Sequence, residues 1–349
     1  MLLTADRKTK DQGQNPVTYS WLIQCPPGLA NVMKKEMVYA GCIDRKQDLF
    51  IKRQRNHDLL FANRLKNPEG AERLRLAESV LRCPLFGRFK ISKRQLEIMA
   101  SELRELGPRR LVVTVAGRVF QRQDLARWIT KEMSARGYEF DQNIEDEVWM
   151  FCVDEAYYFG VPVVKSRDAE GRSDRVAERR GSLPPPVAAA LAFAGMPKND
   201  DVVLDPVCGS GSVLAEVLAY APEASVTGVD IDREAIEIAR ENLGGAASLI
   251  HGDSRRVAGA LEGRVTLVVA NLPFGVRYGT KQDNPRLYRE ILAEMLRLRA
   301  PSGWRGIFFT SDVESFRAAT REISGVVVEE SFKVQVRGEL ASAFRVTAR

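Results

Sequence analysis

The sequence predicts an α/β fold: a doubly wound, mainly parallel sheet over residues 183–349, preceded by a smaller mixed α/β region. Three observations predict it. Short apolar strand patterns at 202–206, 225–231, 248–252, 265–271 and 306–311 alternate with helical stretches, as successive βα units do. Residues 326–338 and 342–349 then read as two long strands joined by a tight turn, an antiparallel hairpin at the sheet's edge. Finally, KSRDAEGRSDRVAERRGSLPPP (165–186) is nearly devoid of apolar residues and ends in three prolines, which marks a linker at 165–182.

The elements follow in order. Residues 1–16 are polar and expected to be a flexible end. The first folded region, 17–164, opens with a strand at 19–25 and a helix over 26–41, entered by Pro26-Pro27 and closed by Gly41. A strand at 48–53 is followed by helical patterns at 57–65 and 71–81 and a short β-like stretch at 86–91. The patterned helix at 93–106 stops at Gly107-Pro108. Strand 109–117, helix 124–137 and one or two strands over 148–164 complete the region. In the second region a helix at 286–299 precedes the fifth strand.

Composition bounds the function. The chain has 349 residues, 45% hydrophobic and 28% charged, enough for two domains, and its longest apolar runs are far shorter than a membrane span. The N-terminus becomes charged before a signal-like apolar core could form, so the cytoplasm is the expected compartment. Five scattered cysteines without a CxxC pair argue against a disulfide framework or a zinc site, and His57 and His251 have no partners at metal spacing. Residues 1–140 hold 27 Lys and Arg against 15 Asp and Glu, a net of +12, while the remainder is net −6. That swing points to an N-terminal half that docks a polyanion.

The chemistry lies between Asp201 and Gly279. DPVCGSGS (205–212) sits where a strand hands over to a helix, and glycine there permits a tight turn and close approach of a ligand to the backbone. It lacks the GK[ST] ending of a phosphate loop and the full GxGxxG of a dinucleotide site. Acids close the first three strands. Asp205 is the first, Asp230 is placed to accept both hydroxyls of a ribose, and Asp253 the amino group of an adenine. One such acid is more simply a helix cap; three in register on one edge are what a nucleoside-bearing cofactor requires. Cys208 inside the turn reads as a packing residue rather than a nucleophile. NLPFG (271–275) follows the fourth strand on the same edge. The Asn271 oxygen and the carbonyls around Leu272 can accept both hydrogens of a planar amine, Pro273 stiffens the loop, and Phe274 offers a face for a base. The plain alternative is a β-turn with Phe274 as core filler.

These motifs resemble Rossmann-type S-adenosylmethionine-dependent methyltransferases with an (N/D)PPY-type fourth motif. More narrowly, the chain resembles the THUMP-containing RNA guanine-N2 methyltransferases. Over roughly 180–349 the likeness rests on PPPVAAALAFAG (184–195), DPVCGSGS (205–212), NLPFGVRYG (271–279) and LYREILAEMLRL (287–298). CPPGLANVMKKEM (25–37) is similar to the opening of the ferredoxin-like module that precedes THUMP in that family, and 93–164 has a THUMP-like order. The resemblance implies a seven-stranded Rossmann-like sheet over 183–349, with ferredoxin-like and THUMP-like parts in 17–164. It implies S-adenosyl-L-methionine as cofactor, bound by Asp205, Cys208, Gly209, Ser210, Gly211, Asp230, Ile231, Asp253, Ser254 and Asn271. Asn271, Pro273 and Phe274 would hold the target guanine. From its position alone, Arg277 is either a partner for an RNA phosphate or an exposed loop charge. No metal is implied.

The expected activity is methylation of a guanosine N2 amine in structured RNA, tRNA before rRNA, with the RNA docked on the N-terminal half. Adenine-N6 or protein-glutamine methylation would use the same clamp, because guanine N2, adenine N6 and cytosine N4 all present a planar amine. A non-catalytic RNA-binding protein with a retained fold is the reading of another class.

Overall fold

The computed structural model describes residues 20–47, 49–53, 57–88, 90–116, 121–164, 182–257, 259, 261–274, 282–336 and 338–348. The expected end at 1–16, nearly all of the 165–182 linker, Gly275 and Arg277 lie outside them. The chain forms two compact units. One comprises 1–21 and 82–161, the other 22–81 and 162–349. This partition differs from a division at the 165–182 linker, because residues 22–81 join the C-terminal region.

In chain order the N-terminal elements are β1 (Ser20–Cys25), α1 (Ala30–Tyr39), β2 (Phe50–Arg53), β3 (Asp58–Ala62), β4 (Ser79–Arg88), α2 (Lys93–Leu106), β5 (Arg110–Ala116), α3 (Arg122–Ser134), β6 (Glu147–Val153) and β7 (Ala156–Val164). Two expected helices are corrected. Residues 58–62 form β3, antiparallel to β2 and buried throughout, and 71–81 is a short 3₁₀ turn (Glu69–Arg73) leading into β4. β3 is a short run buried on both faces, which hides the alternation that would have marked it as a strand, and the spacing of Leu74, Leu76 and Leu81 mimics a helical face. Within the smaller unit, α2 opens with a capping box, Ser92 and Gln95 bonding each other's backbone N–H, and its apolar face joins that of α3 over the parallel β5–β6 pair. Six acids fall between 141 and 161 and no Lys or Arg. With the cut at 161, the N-terminal part is net +6 and the remainder balanced, so half of the +12 depended on where the chain was divided.

The second region holds α4 (Pro185–Ala194), β8 (Val202–Asp205), α5 (Ser212–Tyr220), β9 (Ser225–Asp230), α6 (Arg233–Leu243), β10 (Ser248–His251), β11 (Leu267–Asn271), α7 (Asn284–Arg297), β12 (Arg305–Thr310), α8 (Val313–Arg321), β13 (Val326–Val336) and β14 (Glu339–Ala348). Its seven strands run in the order β10-β9-β8-β11-β12-β14-β13, the doubly wound sheet the sequence predicts. β8 to β12 are parallel, and β14 inserts antiparallel beside β12 with β13 outside it. Central strands such as LVVAN and GIFFT are buried on both faces, as helix-covered parallel strands must be. At the edge opposite the strand ends, Arg305 clamps Asp201, with Nη1 and Nη2 on its two oxygens and Nε on the Gly195 carbonyl.

Residues 22–81 join this unit through a buried polar knot. Glu36 on α1 accepts the Arg75 N–H (2.8 Å), the Leu76 N–H (3.1 Å) and the Tyr220 hydroxyl. Arg75 in turn pairs with the buried Glu216 on α5 at 2.6 Å. Burial raises the Glu36 carboxyl to about 7, against the pull of its hydrogen bonds. Because the folded value lies above the unfolded one, this group's contribution to stability is full below about 4.5 and is lost as pH rises to about 7. Thermal melts between pH 5 and 8 should therefore show a falling contribution of about 3 kcal/mol in the native chain. Glu36→Gln should flatten that slope.

Candidate functional site

Parallel strands deliver their carboxyl ends to one edge, and there the second unit has a cavity of about 850 Å³. Its wall begins at the turn after β8. Asp205 is buried and accepts the Val207 N–H at 3.0 Å. Burial, reinforced by the Asp230 charge, raises its carboxyl to about 8 although the Val207 bond opposes this. It is thus largely neutral at pH 7 until a cation sits beside it. Gly209 takes φ +53°, a conformation that glycine adopts at no steric cost, and donates its N–H to Asp230 Oδ2 at 2.8 Å. Asp230 Oδ1 accepts from Asp232 N at 2.9 Å. Each oxygen of Asp230 therefore has one acceptor site left, and a vicinal diol would use both.

Not every predicted residue does what its spacing suggests. Gly211 does not line the cavity. It caps α5, and a Cβ there would lie 2.9 Å from Leu243 Cδ1, so this glycine admits α6 rather than a ligand. Cys208 reaches the cavity wall but fits over Gly228, where a Cβ would come within 2.9 Å of its sulfur. Burial and the neighbouring Asp205 and Asp230 push its thiol far up, which agrees with packing and not with nucleophilic work. Ser182, Ser210 and Ser212 join their hydroxyls in a line (2.8 and 3.1 Å) on the same wall, and Ser182 was not singled out in the sequence.

Beyond the turn, Ile231 lies 64% exposed in the cavity wall, an apolar side chain offered to a flat ring. Ser254 and Asp253 follow β10. The Asp253 carboxylate is more committed than expected. It accepts the Arg255 backbone N–H at 2.9 Å, Nε at 2.9 and 3.1 Å and Nη2 at 2.7 Å, and Arg255 also reaches Glu290 at 3.1 Å. Those bonds hold Asp253 below the usual carboxylate range. An adenine amine would have to compete with the guanidinium. Sequence spacing could not show this, since an arginine two residues along is also an ordinary exposed charge.

On the far side, β11 ends in Asn271-Leu272-Pro273-Phe274. The Asn271 side-chain oxygen is buried in the wall and has no hydrogen-bond partner among the described residues. A buried orphan acceptor is costly and calls for a donor. Two bonds fix the loop: Leu272 N–H to the Phe309 carbonyl (2.9 Å), and the hydroxyl of buried Tyr288 to the Pro273 carbonyl (2.5 Å), with Thr310 Oγ1 at 3.0 Å. Phe274 meets Phe309 edge-to-face at 6.3 Å and lines the cavity. Tyr288 belongs to the LYREIL stretch of α7 and was not singled out in the sequence.

Residues 172–342 match the family model described as UPF0020: RMKL-like, methyltransferase domain. This segment is similar to a methyltransferase domain of that family. Over 117 residues it is 33% identical to the tRNA (guanine(10)-N2)-dimethyltransferase of Methanothermobacter thermautotrophicus, covering 32% of this chain and 34% of that one. Over 275 residues it is 22% identical to the tRNA (guanine(6)-N2)-methyltransferase of Methanocaldococcus jannaschii, covering 64% and 71%. In fold it is similar to TrmN from Thermus thermophilus, with a TM-score of 0.75 and 22% identity over 95% of this chain and 100% of that one. The methyltransferase domain therefore contains the whole cavity, including the Tyr288 anchor.

That anchor is testable. Tyr288→Phe leaves a buried carbonyl and the Thr310 hydroxyl without their partner, which should cost about 1–2 kcal/mol in a denaturant melt. Hydrogen exchange at the Leu272 and Phe274 amides should accelerate, while the Gly209 amide keeps its protection.

Proposed function

We propose that this chain transfers a methyl group from S-adenosylmethionine to the exocyclic N2 amine of a guanosine in tRNA. The single observation that carries the reading is the buried Asn271 oxygen, without a partner among the described residues and set in the same cavity as the Asp205–Asp230 turn. One side of the cavity suits a nucleoside-bearing sulfonium and the other a flat amine. The names of the relatives, both tRNA guanine-N2 methyltransferases, support guanine and tRNA as the target.

The donor set fits the cofactor residue by residue. Asp230 would hold the ribose hydroxyls, Ile231 and Ser254 would border the adenine, and Asp253 would take its amine in exchange for Arg255. Gly209, Ser210 and the buried Asp205 would face the methionine part, whose ammonium would draw Asp205 into its ionised form. When bound, the cofactor supplies an electrophilic methyl group on sulfur.

The chain's own residues do the rest. Asn271 Oδ1 accepts one N–H of the target amine and the Leu272 carbonyl accepts the other, while the Pro273 carbonyl stays engaged by Tyr288. Withdrawing both hydrogens from the ring plane directs the nitrogen lone pair at the methyl. The cofactor held by Asp205, Gly209, Ser210 and Asp230 would supply the methyl group, and the amine nitrogen that receives it would shed one proton. Catalysis is then mainly positioning and exclusion of water, with Phe274 stacking the base. The RNA itself would be gripped by the N-terminal part, whose residues 1–161 carry the chain's net +6.

Labelled methyl transfer to unmodified tRNA and to rRNA, followed by nucleoside mass spectrometry, tests the reading. N2-methylguanosine should form in tRNA, and Asn271→Ala should lower the rate by about 100-fold or more. Label confined to another nucleoside, or to rRNA, would overturn the substrate assignment.

A further inference from the structure

An amine clamp does not by itself tell guanine from adenine or cytosine, and the structure supplies a residue that does. At the tip of the β13–β14 hairpin, Glu339 opens β14 and lines the same cavity as Asn271, Pro273 and Phe274. Its place is fixed by topology. β14 runs antiparallel to β12, with Thr310 opposite Ser342, so the start of β14 stands beyond the carboxyl end of β12. β12 in turn is paired with β11, with Phe309 opposite Asn271. Glu339 is thereby carried to the rim above the clamp.

Its chemistry differs from that of Asp205, Asp230, Asp253 and Glu290 in the same wall. Asp205 and Asp230 serve the glycine turn, while Asp253 and Glu290 are tied to Arg255. Glu339 accepts one bond, from Ser311 Oγ to Oε2 at 2.8 Å, and among the described residues Oε1 takes none. The hydroxyl orients the carboxylate and leaves one oxygen for a ligand. It has no ion pair with a described residue that would neutralise it.

We propose that Glu339 is the residue that selects guanine, by accepting the ring N1–H next to the amine that Asn271 holds. This rests on the methyl-transfer reading given above. Guanine presents two adjacent donors on its Watson–Crick edge, N1–H and N2–H, and the cavity places one amide oxygen and one carboxylate for such an edge. Adenine and cytosine carry a lone pair on the ring nitrogen next to their amine. A carboxylate facing that lone pair is repelled, so the same group that favours guanine rejects the alternatives. Glu339 acts in recognition, not as a base: the methylated amine loses its own proton, and N1 keeps its hydrogen throughout.

The test uses the full chain and a tRNA whose target guanosine, once mapped, is replaced by 2,6-diaminopurine riboside. That base keeps the N2 amine and exchanges N1–H for a lone pair. The native chain should prefer guanine by about 10- to 100-fold in kcat/KM, the range one good base contact provides. Glu339→Gln, whose amide can donate to the lone pair, should bring the two substrates to near parity. Its affinity for S-adenosylhomocysteine, measured by calorimetry, should not change. Ser311→Ala, which releases the carboxylate from its anchor, should reduce the preference in the same direction and serves if the first variant does not fold. Full retention of the guanine preference in these variants would overturn the assignment. A native chain that methylates neither base would instead refute the methyl-transfer reading itself.

Discussion

A single carboxylate couples two strand ends at the centre of this domain. Asp230 closes β9, yet one of its oxygens takes the N–H of Gly209 in the turn after β8 and the other that of Asp232 at the start of α6. The glycine turn, the first helix and the second helix are therefore positioned together. Gly211 completes the coupling from the other side, since only a residue without a Cβ lets Leu243 of α6 pack against the start of α5. One wall of the cavity follows from these contacts. The opposite wall depends on a second pin, the Tyr288 hydroxyl on the Pro273 carbonyl, which holds the loop while the Asn271 oxygen has no partner among the described residues. The domain spends its hydrogen bonds on the backbone of the site and leaves open the atoms that a ligand needs.

Much of this was legible in the sequence. The five parallel strands fall within a few residues of their expected places because each is a short apolar run, the first four leading to an acid or Asn271, and periodic helices separate them. That Asp205, Asp230, Asp253 and Asn271 meet at one cavity was readable because parallel strands necessarily end on the same edge. The hairpin was readable too, but not its order. β14 rather than β13 lies against β12, and that order brings Glu339 to the cavity.

What the sequence hid was pairing across long separations. Glu36 looks like one more charge on an ordinary helix, and only the fold shows it buried against Tyr220, 184 residues away. Arg255 sits two residues from Asp253, and the fold adds a second partner, Glu290, arriving from α7. The 57–65 and 71–81 segments misled because their helix-like periodicity is weak evidence against burial between neighbours. The grouping of residues 22–81 with the C-terminal region was equally invisible, since it rests on the Glu36 and Arg75 knot rather than on chain continuity.

The most direct test of the central claim is a crystal structure of the full chain with S-adenosylhomocysteine and a tRNA bearing the target guanosine. The account predicts that the guanine N2 lies within hydrogen-bonding distance of Asn271 Oδ1, with the base against Phe274 and the ribose of the cofactor on Asp230. An Asn271 oxygen turned onto a protein donor, with the base amine elsewhere in the cavity, would contradict it.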